Sequence, residues 1–374
     1  MVYLDYSANA PVREEVLEAF LETERKYEGN PNSVHALGKE AKEEFDRLNA
    51  AMLGLLKVDP AQYEIVYTSS GSESNNLAVK GIYGSYHAGL TSRLIASPFE
   101  HSSVNACLSY LKEAGADVVL SPVTKEGQLD YGRLKEEMTP ETILLSCVLV
   151  ESETGIVQDG EKLSSFVKAY PSCHLLVDAT QAVGRIPVDF SAFEMVSFTP
   201  HKYGGICGTG VLLKRKSTVL TPLIHGGHSD SLYRSGTTPL GLIASTVKAT
   251  ELALKEEEEN RRKVTLLRKR LLEQLASVPG VVLNSFSSFP YIVNLSAEKV
   301  PGARMVELLS QRGVCVSQKS ACSVPNTPSK PIMALTHDRK RALSSFRVSL
   351  SPRTSEAEVD EFVLALKGVL HDGK

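Results

Sequence analysis

The chain predicts an α/β fold: a large domain with a mainly parallel sheet flanked by helices, plus a smaller α+β unit at the C-terminal end. Three observations carry this. Short apolar runs alternate with helical patterns from about residue 64 to residue 213, the signature of β-α-β units. Polar and charged residues gather just after the predicted strands, where open parallel sheets bind ligands. A charged helical stretch from Leu240 to about Val278 then precedes a second, shorter set of strands and helices.

Composition agrees. At 374 residues the chain is long enough for two domains, and 42% hydrophobic content supports a sizeable core. A net charge of −3 makes no electrostatic case for nucleic acid or anionic membrane. No apolar run approaches the roughly 20 residues of a membrane span. The stretch Met1-Val2-Tyr3-Leu4-Asp5 has neither a basic nor an apolar leader region, so a cytoplasmic setting is expected. The 6 cysteines contain no Cys-x-x-Cys pair and none has a histidine at zinc spacing, so no metal site is expected. Cys107, Cys147 and Cys173 sit in or beside apolar runs and read as small core residues.

Taken in order, Val12, Val16, Phe20, Thr23 and Tyr27 recur at helical spacing, as do Ala41, Phe45, Leu48, Met52 and Leu55. The turn Gly29-Asn30-Pro31-Asn32-Ser33 lies between them, with Asn32 or Ser33 as a helix N-cap. A strand over 64–68 runs into Ser69-Ser70-Gly71-Ser72-Glu73 and a helix through Leu77 and Ile82. A strand, a small-residue turn and a helix start make an anion site, in which Gly71 and Ser72 can cradle one phosphate. It is not a Walker loop, and most such turns are merely capped helices. Strands follow at 93–97, 117–120 and 142–150, with helices at 102–114, 131–138 and 161–170. The run His174 to Asp178 is a strand ending in an acid, and Met195 to Thr199 a strand ending in His201-Lys202. The segment Gly204 to Gly210 precedes a strand rather than a helix, so it is a tight turn and no dinucleotide loop.

The smaller unit holds strands near 281–283, 292–295, 314–317 and 347–350, and helices near 303–312 and 355–370. The charge clusters at 255–259 and 261–263 read as a solvated helix face. The expected division is 13–255 for the large domain, and 1–12 with 256–374 for the small one.

If the strands ending at Asp178 and Thr199 are parallel neighbours, Asp178 and Lys202 project into one crevice. A lysine amine can hold an aldehyde cofactor as a Schiff base. A carboxylate beside a pyridine nitrogen keeps it protonated, so that the ring can accept electrons. These are the groups that pyridoxal 5'-phosphate (PLP) chemistry requires, although a strand-end acid is more often a simple cap. Ser72, His101, Ser152, Asp178, Gln181, Thr199, His201 and Lys202 all fall just after predicted strands. Cys322 opens a segment, 324–331, whose three prolines predict a surface loop without helix. A cysteine there is either filler beneath the loop or a thiol with work to do.

These motifs resemble the cysteine desulfurases of the NifS/IscS type, within the class V aminotransferase family of fold-type I PLP enzymes. The resemblance runs nearly end to end, through Tyr3-Leu4-Asp5-Tyr6-Ser7-Ala8, Gly29 to Ser33, Thr68 to Asn76, Glu100-His101, Gly155 to Asp159 and Val177 to Gln181. It continues through His201-Lys202, Arg234-Ser235-Gly236-Thr237, Ser320-Ala321-Cys322 and Ser345 to Ser349. It implies that Lys202 is the Schiff-base lysine and that Asp178 pairs with the pyridinium. It also implies that Gln181 bonds the ring hydroxyl, with Ser152 nearby, and that His101 stacks on the ring. Gly71, Ser72, Thr199 and His201 would hold the phosphate, with Thr237 arriving from the second subunit of a homodimer. Arg347 would bind the substrate carboxylate, and Asn32 would also contact the substrate.

The implied reaction converts L-cysteine to L-alanine, with sulfur passing to Cys322 as a persulfide and then to a protein acceptor. His101 is the candidate base for the Cys322 thiol. Ser152 stands where these enzymes usually carry Asn, and the turns after Lys202 and before Arg234 differ from the usual pattern. A selenocysteine lyase or class V aminotransferase is the enzyme alternative, and an inactive scaffold the non-enzyme one.

Overall fold

The computed structural model describes residues 1–87, 92–227, 229–284, 287–319 and 327–372. Its centre is a seven-stranded sheet in the order β2-β8-β7-β6-β5-β3-β4. The strands are β2 (Tyr63–Thr68), β3 (Arg93–Ala96), β4 (Asp117–Leu120), β5 (Thr142–Val148), β6 (His174–Asp178), β7 (Met195–Phe198) and β8 (Gly210–Arg215). Only β8 runs against the others, antiparallel to both β2 and β7. β5 and β7 are buried throughout their lengths, as strands covered on both faces must be. Their apolar runs made them legible. The crossover helices are α3 (Gly71–Tyr86), α4 (Ser102–Glu113), α5 (Tyr131–Glu137) and α6 (Gly160–Val167), with α1 (Glu14–Lys26) and α2 (Ala36–Leu55) preceding the sheet.

Because the parallel strands share one direction, their carboxyl ends meet at one edge. Register fixes this closely: Asp178 pairs with Ser197 of β7 on one side and Val148 of β5 on the other. The expected parallel pairing of the Asp178 and Thr199 strands is present.

The long helix α7 (Leu240–Leu275) packs on α1, α2 and the C-terminal helix α11 (Glu356–Asp372). Beyond α7, an antiparallel sheet in the order β12-β10-β9 joins β9 (Val281–Leu283), β10 (Ile292–Ala297) and β12 (Ser345–Ser349). The N-terminal strand β1 (Val2–Tyr3) pairs in parallel with β11 (Val314–Cys315), and α8 (Gly302–Ser310) lies between β10 and β11. This brings the first and last hundred residues together. Asp5 bridges to Ser349.

Three expectations need correction: the N-cap of α2 is His35, whose ring accepts the Gly38 N–H, and not Asn32 or Ser33. The strand expected over 314–317 is two residues long, with Ser317 forming only an isolated bridge to Arg347. The proline-rich stretch 324–331 does not exclude helix. Lys330 and Pro331 open α9 (Lys330–Thr336), capped by the Ser329 hydroxyl, because proline is tolerated in a first turn whose N–H groups have no helical acceptor. A further short helix, α10 (Arg339–Leu343), leads into β12. Among the described residues no helix is long and apolar enough to cross a membrane, and no cluster could hold a metal ion.

Candidate active site

At the carboxyl edge of the large sheet one cavity collects Gly71, Ser72, His101, Ser152, Asp178, Gln181, Thr199, His201, Lys202 and Arg347. The sequence singled out all ten. Asn32 and Thr237 do not join them; both lie exposed on this chain, away from the cavity. Cys322 lies outside the described residues.

Each side chain is placed by a local element. Asp178 ends β6, buried, with Oδ1 accepting the Thr180 N–H at 2.9 Å and Oδ2 accepting Asn75 Nδ2 at 2.9 Å. No Lys or Arg among the described residues pairs with it. Lys202 closes a 3-10 turn (Pro200–Lys202) after β7 and donates from Nζ to Ala8 O at 2.7 Å. Thr199 Oγ1 donates to Thr209 O at 2.7 Å and lies 3.0 Å from His201 Nδ1. Burial and the Lys202 charge push the His201 imidazole down to about 4, so it is neutral here.

Gln181 donates from Nε2 to Ser7 O at 2.9 Å, while its Oε1 accepts from Arg185 Nη1. Arg185 also donates to Lys202 O at 2.9 Å. The buried arginine therefore sets the amide, keeping the donor end toward Ser7. Arg347 is held from two sides. Nη2 meets Asp5 Oδ1 at 2.7 Å and Nη1 donates to Ser152 O at 2.8 Å. Its Nε is buried without a partner.

His101 is the N-cap of α4, its Nδ1 accepting from the Ser103 N–H at 3.2 Å and lying 2.9 Å from Ser103 Oγ. Burial and Lys202 lower its pKa against the opposing pull of Asp178. Four residues escaped the sequence reading. Asn75 ties Asp178 to Ser103 and Ser197. A polar residue beside Leu77 and Ala78 on the buried face of α3 was the available signal. Asp5 and Glu100 lay within the family motifs without being singled out as site groups, and Ser103 had no signal. Burial, with Asp178 close by, pushes Glu100 up to about 8.

PLP fits these residues. The Gly71 and Ser72 N–H groups open α3 with no described acceptor, as a phosphate cradle requires. A Cβ on Gly71 would stand 3.3 Å from Thr199 Cγ2, so glycine keeps that cradle open. Asp178, bonded only by neutral donors, suits a cationic ring nitrogen. Lys202 supplies an amine for the aldehyde.

Comparison with known proteins points to one family. The family model described as aminotransferase class-V matches residues 2–362. The chain is 33% identical over 378 residues to the cysteine desulfurase IscS of Dictyoglomus turgidum, covering 99% of this chain and 94% of that protein. A solved structure described as a NifS-like protein superposes with a TM-score of 0.91 at 30% identity, covering 99% of both chains. Another, described as SspA in complex with cysteine, gives a TM-score of 0.80 at 28% identity over 95% of this chain and all of that one.

Proposed function

The chain belongs to the aminotransferase class-V family, and from that premise we propose that it is a PLP-dependent cysteine desulfurase, taking L-cysteine to L-alanine. One observation supports this most: Lys202, Asp178, His101, Arg347 and the Gly71-Ser72 helix start line a single cavity.

When bound, PLP supplies a protonated ring that draws charge away from the substrate α-carbon. The chain's own residues do the rest. Gly71, Ser72, Thr199 and His201 hold the phosphate. Asp178 keeps its partner nitrogen protonated, and Gln181, set by Arg185, offers a donor to the ring oxygen. Arg347 holds the substrate carboxylate, and the Lys202 amine moves the α-proton. The Cys322 thiolate then attacks the substrate sulfur. An S–S bond forms as the carbon–sulfur bond breaks, and a proton on the carbon completes alanine.

A homodimer belongs to the same reading, with Thr237, and with it Asn32, reaching the cavity of the other copy. Its support is that both are exposed here, close in sequence to exposed apolar Val34, Leu37 and Leu232. A protein sulfur acceptor, a cytoplasmic location and the division at residues 13 and 255 complete the proposal.

The test is to incubate protein and its Lys202→Ala variant with PLP, L-cysteine and a reductant. Equal alanine and sulfide from the parent, and neither from the variant, is the expected result. Bound PLP without either product would refute the substrate assignment.

A further inference from the structure

We propose that Ser103 and the N-terminus of α4 lock His101 as the neutral imidazole with its proton on Nε2, so that His101 serves as a hydrogen-bond donor and not as a base. The proposal deepens the desulfurase reading and rests on it for the role, but not for the tautomer. The chain of hydrogen bonds has one consistent direction. Asp178 Oδ2 requires a donor, which fixes Asn75 with Nδ2 toward it at 2.9 Å and Oδ1 toward the Ser197 hydroxyl. Asn75 Nδ2 also reaches Ser103 Oγ at 3.0 Å, so that oxygen accepts, and its own proton points at His101 Nδ1, 2.9 Å away. The Ser103 backbone N–H points at the same nitrogen from 3.2 Å.

A ring nitrogen whose lone pair accepts these hydrogen bonds carries no hydrogen of its own. The imidazole proton is therefore on Nε2, at the far edge of the ring from the helix. Protonating Nδ1 would set an N–H against the fixed Ser103 amide and against the positive end of α4. Of the charges around the ring, Asp178 favours the cation and Lys202 opposes it. Arg347 lines the same cavity, and the preceding Glu100 is held neutral by burial.

A neutral imidazole at a helix N-terminus acts by donating from its remaining N–H to negative charge as it develops. The expectation that His101 deprotonates the Cys322 thiol then fails.

The experiment is nitrogen NMR of histidine-labelled, cofactor-free protein, with His101→Gln identifying the resonance among the 9 histidines. Nδ1 in the unprotonated range and Nε2 in the protonated range, unchanged from pH 8 to pH 5.5, is the expected result. Ser103→Ala removes one of the two donors to Nδ1 but keeps the backbone N–H, so it should raise the His101 pKa by roughly one pH unit, with titration setting in toward pH 5.5 and the neutral ring still carrying its proton on Nε2, while Ser103→Thr restores the parent spectrum. A proton on Nδ1, titration of the parent near pH 6.5, or a Ser103→Ala spectrum identical to the parent would each overturn the proposal. Alanine release from L-cysteine is measured on the same proteins after PLP has been restored. Its absence in the parent would remove the desulfurase reading while leaving the tautomer result intact.

Discussion

At the scale of single residues, the site fixes its charged groups with defined hydrogen-bond partners, two each at Asp178 and Arg347. Asp178 shows this most plainly. Asp178→Asn would remove the one acidic group among the described residues that line the cavity. It should cut alanine formation by about a hundredfold or more while PLP still binds, read by absorbance and product assay. Arg347→Lys keeps the charge but loses the planar fork. The KM for L-cysteine should rise between about tenfold and a hundredfold in steady-state kinetics. Glu100 gives a pH prediction. Its folded pKa is raised to about 8 from 4.5, so its contribution to stability is full below pH 4.5 and is lost as pH rises through 8. Glu100→Gln should therefore raise Tm at pH 8 by roughly 5 °C relative to its effect at pH 5, in paired thermal melts. Lys202 and Asp178 were legible in the sequence because each directly follows or ends an apolar run. The Asp5–Arg347 pair was not, because 342 residues separate its members.

Among the elements, the start of α3 has the clearest division between folding and binding. Ser70 caps the helix through Glu73 N at 3.1 Å, which leaves Gly71 and Ser72 N–H for an anion. Gly71→Ala should leave helix content unchanged and weaken PLP binding by about tenfold, measured by equilibrium titration. Strand and helix positions were legible through periodicity and length. The Lys330–Thr336 helix was not, since a helix only two turns long offers little periodicity and its proline was read as a stop signal.

For the whole molecule, the fold brings β1, β11 and β12 from opposite ends of the chain beside the large sheet, so Arg347 reaches a cavity otherwise built from residues 7–202. A dimer would supply what one copy leaves outside. Mixing Lys202→Ala with Thr237→Ala protomers should restore alanine production that neither has alone, because one of the two sites in the mixed dimer carries both native residues. Which copy a surface residue serves has no signature in periodicity, so Thr237 and Asn32 could be named from the family pattern but not placed. The most direct test of the account lies with Cys322. With PLP, L-cysteine and a reductant, the parent should yield alanine and sulfide in equal amounts, and Cys322→Ala should lose both while still binding PLP. Alanine formed by Cys322→Ala at the parent rate would contradict the account.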